Sequence, residues 1–231
     1  MPSRFGQICP VVVALGGCAT DPPEPHCESH VLRVTSAVVP HNNAGAREHG
    51  LDLNNDKAID NQLGMVAATL HGQFGFDLTA AINARLASDL VWQIGVATCD
   101  DDTARIDRGS AMPVGAMFDP LARFGPGWIE SRVAAIELAP LADGTTWTGR
   151  IGMGLLSERV NEVIVPPIVA YMNENALFID EFDKAPKDGM ISVEEMADSN
   201  IARSLLEPDL GSRGDRSLSF GVAVTATKQP N

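Results

Sequence analysis

The stretch Asp77-Leu78-Thr79-Ala80-Ala81-Ile82-Asn83-Ala84-Arg85-Leu86-Ala87-Ser88-Asp89-Leu90-Val91-Trp92-Gln93-Ile94-Gly95-Val96-Ala97-Thr98 changes its period midway, and that change decides the fold class. Up to Leu86 the apolar residues Leu78, Ala81, Ile82 and Leu86 share one helical face, and Asp77 stands where a carboxylate caps a first turn. From Trp92 the period drops to two: Trp92, Ile94, Val96 and Thr98 alternate with Gln93, Gly95 and Ala97, as in a half-buried strand. The alternation returns where Leu218, Phe220, Val222 and Val224 interleave with Ser219, Gly221 and Ala223. Val31 to Val39, Arg132 to Leu138 and Trp147 to Leu155 read as further strands, the last two joined by a turn at Asp143-Gly144. Leu63 to Leu70 reads as a helix, and Ser157 to Phe182 as one bent at Pro166-Pro167. Strands and helices in this irregular order predict an α+β fold, a mainly antiparallel sheet packed with several helices.

The 231 residues are 45% hydrophobic and 20% charged, enough for one sizeable core and too apolar for a disordered chain. No run of eighteen apolar residues offers a permanent membrane span. A formal charge of -13 repels phosphate backbones, so no nucleic-acid partner is expected.

At the N-terminus Arg4 precedes an apolar run from Ile8 to Leu15, which meets Leu15-Gly16-Gly17-Cys18. This resembles a bacterial lipoprotein signal, in which a small residue precedes the cysteine and a branched aliphatic stands three positions upstream of it. The resemblance implies a signal peptide over 1–17, lipid on Cys18, a membrane partner through that lipid, and an extracytoplasmic site on the cell envelope, at the outer membrane. The Pro- and acid-rich segment 18–29 then reads as a tether, and 30–231 as a single domain. Cys9 leaves with the signal, so Cys27 and Cys99 remain as a pair in an oxidising compartment, where a disulfide is expected and two buried free thiols are the alternative.

Two acidic loops carry the candidate chemistry. In Asp52-Leu53-Asn54-Asn55-Asp56-Lys57-Ala58-Ile59-Asp60 side-chain oxygens fall at alternate positions, Ala58 offers a backbone carbonyl, and Ile59 is expected to pin the loop to the core. The loop resembles the front half of an EF-hand or dockerin calcium loop, although Lys57 stands at the glycine position and Leu63 where a bidentate Glu belongs. Local backbone donors would satisfy the same side chains in a solvated Asx-rich turn. The second stretch, Asp183 to Glu195, matches an EF-hand in its back half: Asp188, Gly189, the Met190 carbonyl, Ser192 and Glu195. Its front half departs, with Asp183 one residue too far upstream and Pro186 and Lys187 replacing ligands. Ser192 and Glu195 also form a capping box for a helix whose Val193, Met196, Ala197, Ile201 and Leu205 face inward. Calcium is therefore the expected ion, bound mainly at the first loop, which retains four side-chain oxygens at the required spacing.

Together these pieces resemble a family of uncharacterised predicted lipoproteins from soil-dwelling predatory bacteria. The resemblance rests on Gly50-Leu51-Asp52-Leu53-Asn54-Asn55-Asp56, Asp60-Asn61-Gln62-Leu63-Gly64, Phe182-Asp183, Asp188-Gly189-Met190-Ile191-Ser192, Ser204-Leu205-Leu206-Glu207-Pro208-Asp209 and Ser217-Leu218-Ser219-Phe220-Gly221-Val222. It implies degenerate calcium loops and brings no activity with it. The third acidic loop of such relatives is reduced here to Leu210-Gly211-Ser212-Arg213-Gly214-Asp215, whose Arg-Gly-Asp tripeptide is explained by that decay.

No G-x-S-x-G elbow, H-E-x-x-H helix or Gly-rich phosphate loop is present, so no catalytic residue is assigned. His26, His30, His41, His49 and His71 read as surface or loop residues, and Asp100-Asp101-Asp102 as a solvated turn. The sequence thus points to a lipid-anchored, calcium-stabilised binding, adhesive or structural module. A carrier of a lipid or other apolar ligand is the alternative, with a hydrolase behind it.

Overall fold

In the computed structural model, which describes residues 27–99, 104–106, 110–184, 187–211 and 216–230, the period-two stretches pair into one sheet of seven strands. Its order is β3 (Ala104–Ile106), β2 (Gln93–Cys99), β1 (Cys27–Val38), β7 (Ser217–Lys228), β6 (Thr146–Leu156), β5 (Trp128–Pro140) and β4 (Ala111–Pro113). Every neighbouring pair is antiparallel, and β3 comes to lie against β5, so the sheet curls nearly into a barrel. Helices α1 (Asn43–His49), α2 (Gln62–Phe74) and α3 (Leu78–Ser88) occupy the connection from β1 to β2, and α4 (Val114–Met117) follows β4. The connection from β6 to β7 carries α5 (Ser157–Met172), α6 (Ala176–Phe182), α7 (Val193–Asp198) and α8 (Asn200–Leu205). The fold is α+β with a mainly antiparallel sheet. Among the described residues no helix is long and apolar enough to cross a membrane.

One contiguous core joins sheet and helices, with Trp92, Phe76, Phe118 and Phe220 fully enclosed. The Asp77 carboxylate accepts from the Ala80 amide at 2.9 Å and starts α3, whose Leu78, Ile82 and Leu86 turn inward onto β1. Beyond Val34, whose amide donates to the Trp92 carbonyl at 2.9 Å, no β2 residue pairs with β1 among the described residues. Side chains of α3 take over there: Asn83 accepts from the Ala37 amide at 2.9 Å and donates to the Ala37 carbonyl at 2.8 Å, while the Thr79 hydroxyl bonds both polar groups of Val39 at 3.0 Å. An edge that would otherwise bury unpaired peptide groups is thereby satisfied.

Three features differ from the sequence reading. β1 begins at Cys27, inside the segment read as tether, because Cys27 stands opposite Cys99 on β2 with the two sulfurs 2.05 Å apart, at disulfide distance. α5 runs through Pro166 and Pro167, and the break falls at Asn173–Asn175 instead. The prolines free only the carbonyls of Glu162 and Val163, at exposed and half-buried positions, whereas Asn175 caps a new helix by accepting from the Leu177 amide at 3.0 Å. The single amphipathic helix expected after Ser192 is split at Ser199, whose hydroxyl accepts from the Ala202 amide at 3.0 Å and starts α8. Of its expected inward face Met196 is buried, while Val193 and Ala197 are exposed.

Candidate functional site

The first acidic loop is wound around its own amides. Asn55 and Lys57 both take left-handed backbone, with φ of 61° and 72°, so Lys57 makes the sharp turn that glycine would ease. Asp52 accepts from the amides of Asp56 at 3.2 Å and Lys57 at 2.9 Å, Asn54 from Asp56 at 3.0 Å, and Asp56 from Ala58 at 2.7 Å. Asp60 closes the loop through a bridge to Leu51, and its carboxylate accepts from the Leu53 amide at 2.7 Å. Burial pushes the Asp60 carboxyl above the ordinary aspartate range; the Leu53 bond opposes this, and the charges of Asp209, Asp56 and Asp52 add to it.

Ile59 does not pin this loop; it is 51% exposed. Leu51 and Leu53 do so, joined by Leu210 in a small cluster of their own. They can reach the sheet because β6 presents Gly152 and Gly154 there: a Cβ on Gly152 would stand 3.2 Å from both leucines, and one on Gly154 3.0 Å from Leu210. Gly221 is the β7 partner of Gly152, and a Cβ on it would fall 2.4 Å from the His49 carbonyl. The chain at His49 and Gly50 therefore lies directly on β7 backbone, which only a glycine permits.

Asn61, which follows the loop, locks this arrangement. Its carboxamide accepts from the amides of Gly221 at 2.8 Å and Gly64 at 3.0 Å, and donates to the carbonyls of Gly221 at 3.0 Å and Ala46 at 2.8 Å. In the β1–β7 register Pro40 would stand opposite Gly221, and proline has no N–H for a ladder. Nearby, Asp209 accepts from the Ser219 amide at 2.8 Å and from its hydroxyl, which itself accepts from the Gln62 amide at 2.7 Å. Asn61 and Asp209 thus extend the edge of β7 with side chains.

The second loop repeats the winding with different residues. Asp183 accepts from the amide of Gly189, whose φ is 87°, at 2.9 Å, and Asp188 accepts from the Met190 amide at 3.0 Å. Asp183 is 6% exposed, and its second oxygen, Oδ1, is buried with no hydrogen-bond partner among the described residues. Glu195 accepts from the amides of Ser192 at 2.7 Å and Lys184 at 2.8 Å, and Ser192 completes the capping box. Those two bonds, the Ser192 bond first, hold the Glu195 carboxyl below the ordinary glutamate range. Asn173, from the end of α5, accepts from the Ile191 amide at 2.7 Å and donates to its carbonyl at 2.9 Å. Asn173 gave no signal in the sequence; Asn61 and Asp209 sat inside quoted segments whose role was not evident.

The structure brings Asp52, Asn54, Asp56, Ala58 and Asp60 into one loop, with Asp209 as an unforeseen neighbour, and Asp183, Asp188, Met190, Ser192 and Glu195 into another. Among the described residues no group of three or more His, Cys, Asp or Glu converges on one ion position; apart from Asp183 Oδ1, the loop carboxylates are engaged mainly with amides. His30 is buried on β1 beside Trp147, with ring centroids 6.0 Å apart, and is not a surface residue. The lipidation position Cys18, His26, Asp100-Asp101-Asp102 and Arg213-Gly214-Asp215 lie outside the described residues. An apolar pocket of about 40 Å³ lies between α2, α5 and the terminal helices, lined by residues including Leu70, Phe74, Ile168 and Leu206. No family model matches the chain, and no curated protein and no solved structure is significantly similar to it.

Proposed function

We propose that the chain is an envelope module anchored by lipid on Cys18 and held rigid by calcium at its two acidic loops, serving as a binding, adhesive or structural element. In this reading it belongs with the predicted lipoproteins it resembles. The observation that carries the ion is Asp183 Oδ1, which has no donor among the described residues: a buried carboxylate oxygen left so costs about 1–3 kcal/mol, which a cation would offset. The donors fit a hard cation, since both loops offer only carboxylate, amide, hydroxyl and carbonyl oxygens. The loops also share a scaffold: the first aspartate accepts from the amide of the left-handed residue, Lys57 or Gly189, and the later one from the residue two further on, Ala58 or Met190. Calcium would then link carboxylates whose mutual repulsion opposes compaction, as at Asp60.

Asp183 and Glu195 move the main effect from the first loop, where the spacing put it, to the second. The apolar pocket, about 40 Å³, is far below the roughly 300–1,000 Å³ of ligand sites, so the carrier reading draws no support from it. Calcium added at a hundred times its dissociation constant should stabilise the protein by about 2.7 kcal/mol, raising the melting temperature by several degrees. Asp183→Asn should remove most of that shift and Asp52→Ala with Asp56→Ala the lesser part. Magnesium should substitute poorly, because it demands a tighter octahedron. An unmoved melting curve in millimolar calcium would sink the ion. Full membrane retention of Cys18→Ser would sink the anchor.

A further inference from the structure

Two histidines far apart in sequence meet outside the acidic loops. His41 lies between the end of β1 and the first turn of α1, and His71 in the last turn of α2. Their rings approach edge to face, with centroids 5.6 Å apart and planes at 68°, and both residues are exposed. His71 Nδ1 lies 2.9 Å from the Phe76 carbonyl oxygen. A carbonyl can only accept, so Nδ1 carries the proton of this bond, and in the neutral ring the lone pair sits on Nε2. The acceptor is rigid: Phe76 is fully buried, its amide donates to the Leu70 carbonyl at 3.3 Å, and its ring packs on Tyr171 at 4.1 Å. An imidazole oriented by a fixed backbone carbonyl is how proteins prepare a metal ligand.

From this geometry we infer that His41 and His71 form a two-imidazole site for one divalent ion of the zinc, copper and nickel class. An ion about 2.1 Å from a nitrogen of each ring places the two centroids roughly 5–6 Å apart at tetrahedral to trigonal angles, so the observed spacing fits once a ring turns from its edge-to-face pose to aim its lone pair at the ion. Imidazole selects these ions over calcium, which keeps the site chemically separate from the acidic loops. With no third His, Cys, Asp or Glu converging among the described residues, the other coordination positions belong to water or to an outside ligand. Such a site is open and exchangeable.

The test is copper(II) titration of the full chain, purified in detergent and stripped with chelator, followed by electron paramagnetic resonance. One equivalent should bind with nitrogen hyperfine structure. His41→Gln and His71→Gln should each weaken it by at least about tenfold, and excess calcium should leave it in place. The metal-free melting temperature of His41→Gln should match the parent, and that of His71→Gln should fall only by what its bond to the Phe76 carbonyl contributes. If either variant fails to fold, zinc added to the parent while the histidine ring resonances are recorded decides the question, because His41 and His71 should shift together. Copper binding untouched by both substitutions, displacement by calcium, or zinc shifts confined to other rings would overturn the site.

Discussion

The two acidic loops share a winding and differ in what holds them. The Asp52–Asp60 loop lies on the sheet, with Leu51 and Leu53 over Gly152 and the Asn61 carboxamide bound to Gly221 on β7. The Asp183–Glu195 loop hangs between helices, tied by Asn173 to Ile191 and by Glu195 to Ser192 and Lys184. The first completes the edge of a strand, so its geometry is determined by the sheet. The second buries Ile191 in the main core and has a capping box, and one of its buried oxygens has no donor among the described residues. A loop welded to the sheet with its oxygens met has little to gain from an ion, and a loop with an unmet oxygen has more.

The sharpest way to break this comparison is at the asparagines. Asn61→Ala would leave four buried or half-buried peptide groups, on Gly221, Gly64 and Ala46, without a partner. Its cost should be about 4 kcal/mol in urea unfolding with chelator present. Asn173→Ala abandons only the two groups of Ile191 and should cost about 2 kcal/mol. Equal losses would mean that the first loop is no better anchored than the second.

The fold class was legible because periodicity is a property of the chain itself. The changes from 3.6 to 2 around Trp92, and the alternation at Leu218 to Val224, became α3, β2 and β7 within a few residues. The capping residues Asp77 and Ser192 were legible for the same reason, being local. What could not be read was tertiary satisfaction of peptide groups. Asn61 with Gly221, Asn83 with Ala37 and Asn173 with Ile191 each bond both the amide and the carbonyl of one distant residue, yet nothing distinguishes these asparagines from turn residues in the sequence. Small α1 and the short strands β3 and β4 were missed because three to seven residues hold too little periodicity. The break at Ser199 was missed because a serine inside an amphipathic pattern reads as an ordinary polar position.

Acid separates the loops in a second, smaller way. Asp60 has a raised folded value, so its contribution is present below the ordinary aspartate range and is lost as pH rises through the folded value. Glu195 has a lowered one, so its contribution is present above the ordinary glutamate range and is lost as pH falls through the folded value. In chelator, Asp60→Asn should therefore become more stable relative to the parent between about pH 4 and 7, since Asn can still accept from Leu53 while shedding the charge. Glu195→Gln should become less stable relative to the parent as pH climbs to and through the ordinary glutamate range, with the difference level above about pH 5.5. Melting temperatures across that range check both signs, and parallel curves for the two variants would remove the electrostatic contrast.

The smallest effect concerns the residue the spacing chose wrongly. In a calcium loop the apolar position after the seventh residue is expected to enter the core, and Ile59 occupies it, yet Ile59 is 51% exposed while Leu53 is buried. Position in a motif and position in space disagree because the loop meets the sheet through its first turn, where Gly152 leaves room, and not through its last. Ile59→Ser should accordingly change unfolding free energy by no more than about 0.5 kcal/mol, as at an ordinary surface position. Leu53→Ala should cost about 2–3 kcal/mol, since it opens a cavity between the loop and β6. The pair can be measured in one series of chemical melts. If Ile59→Ser proves the more damaging, the loop docks by its other end, and the glycines of β6 and β7 need a different explanation.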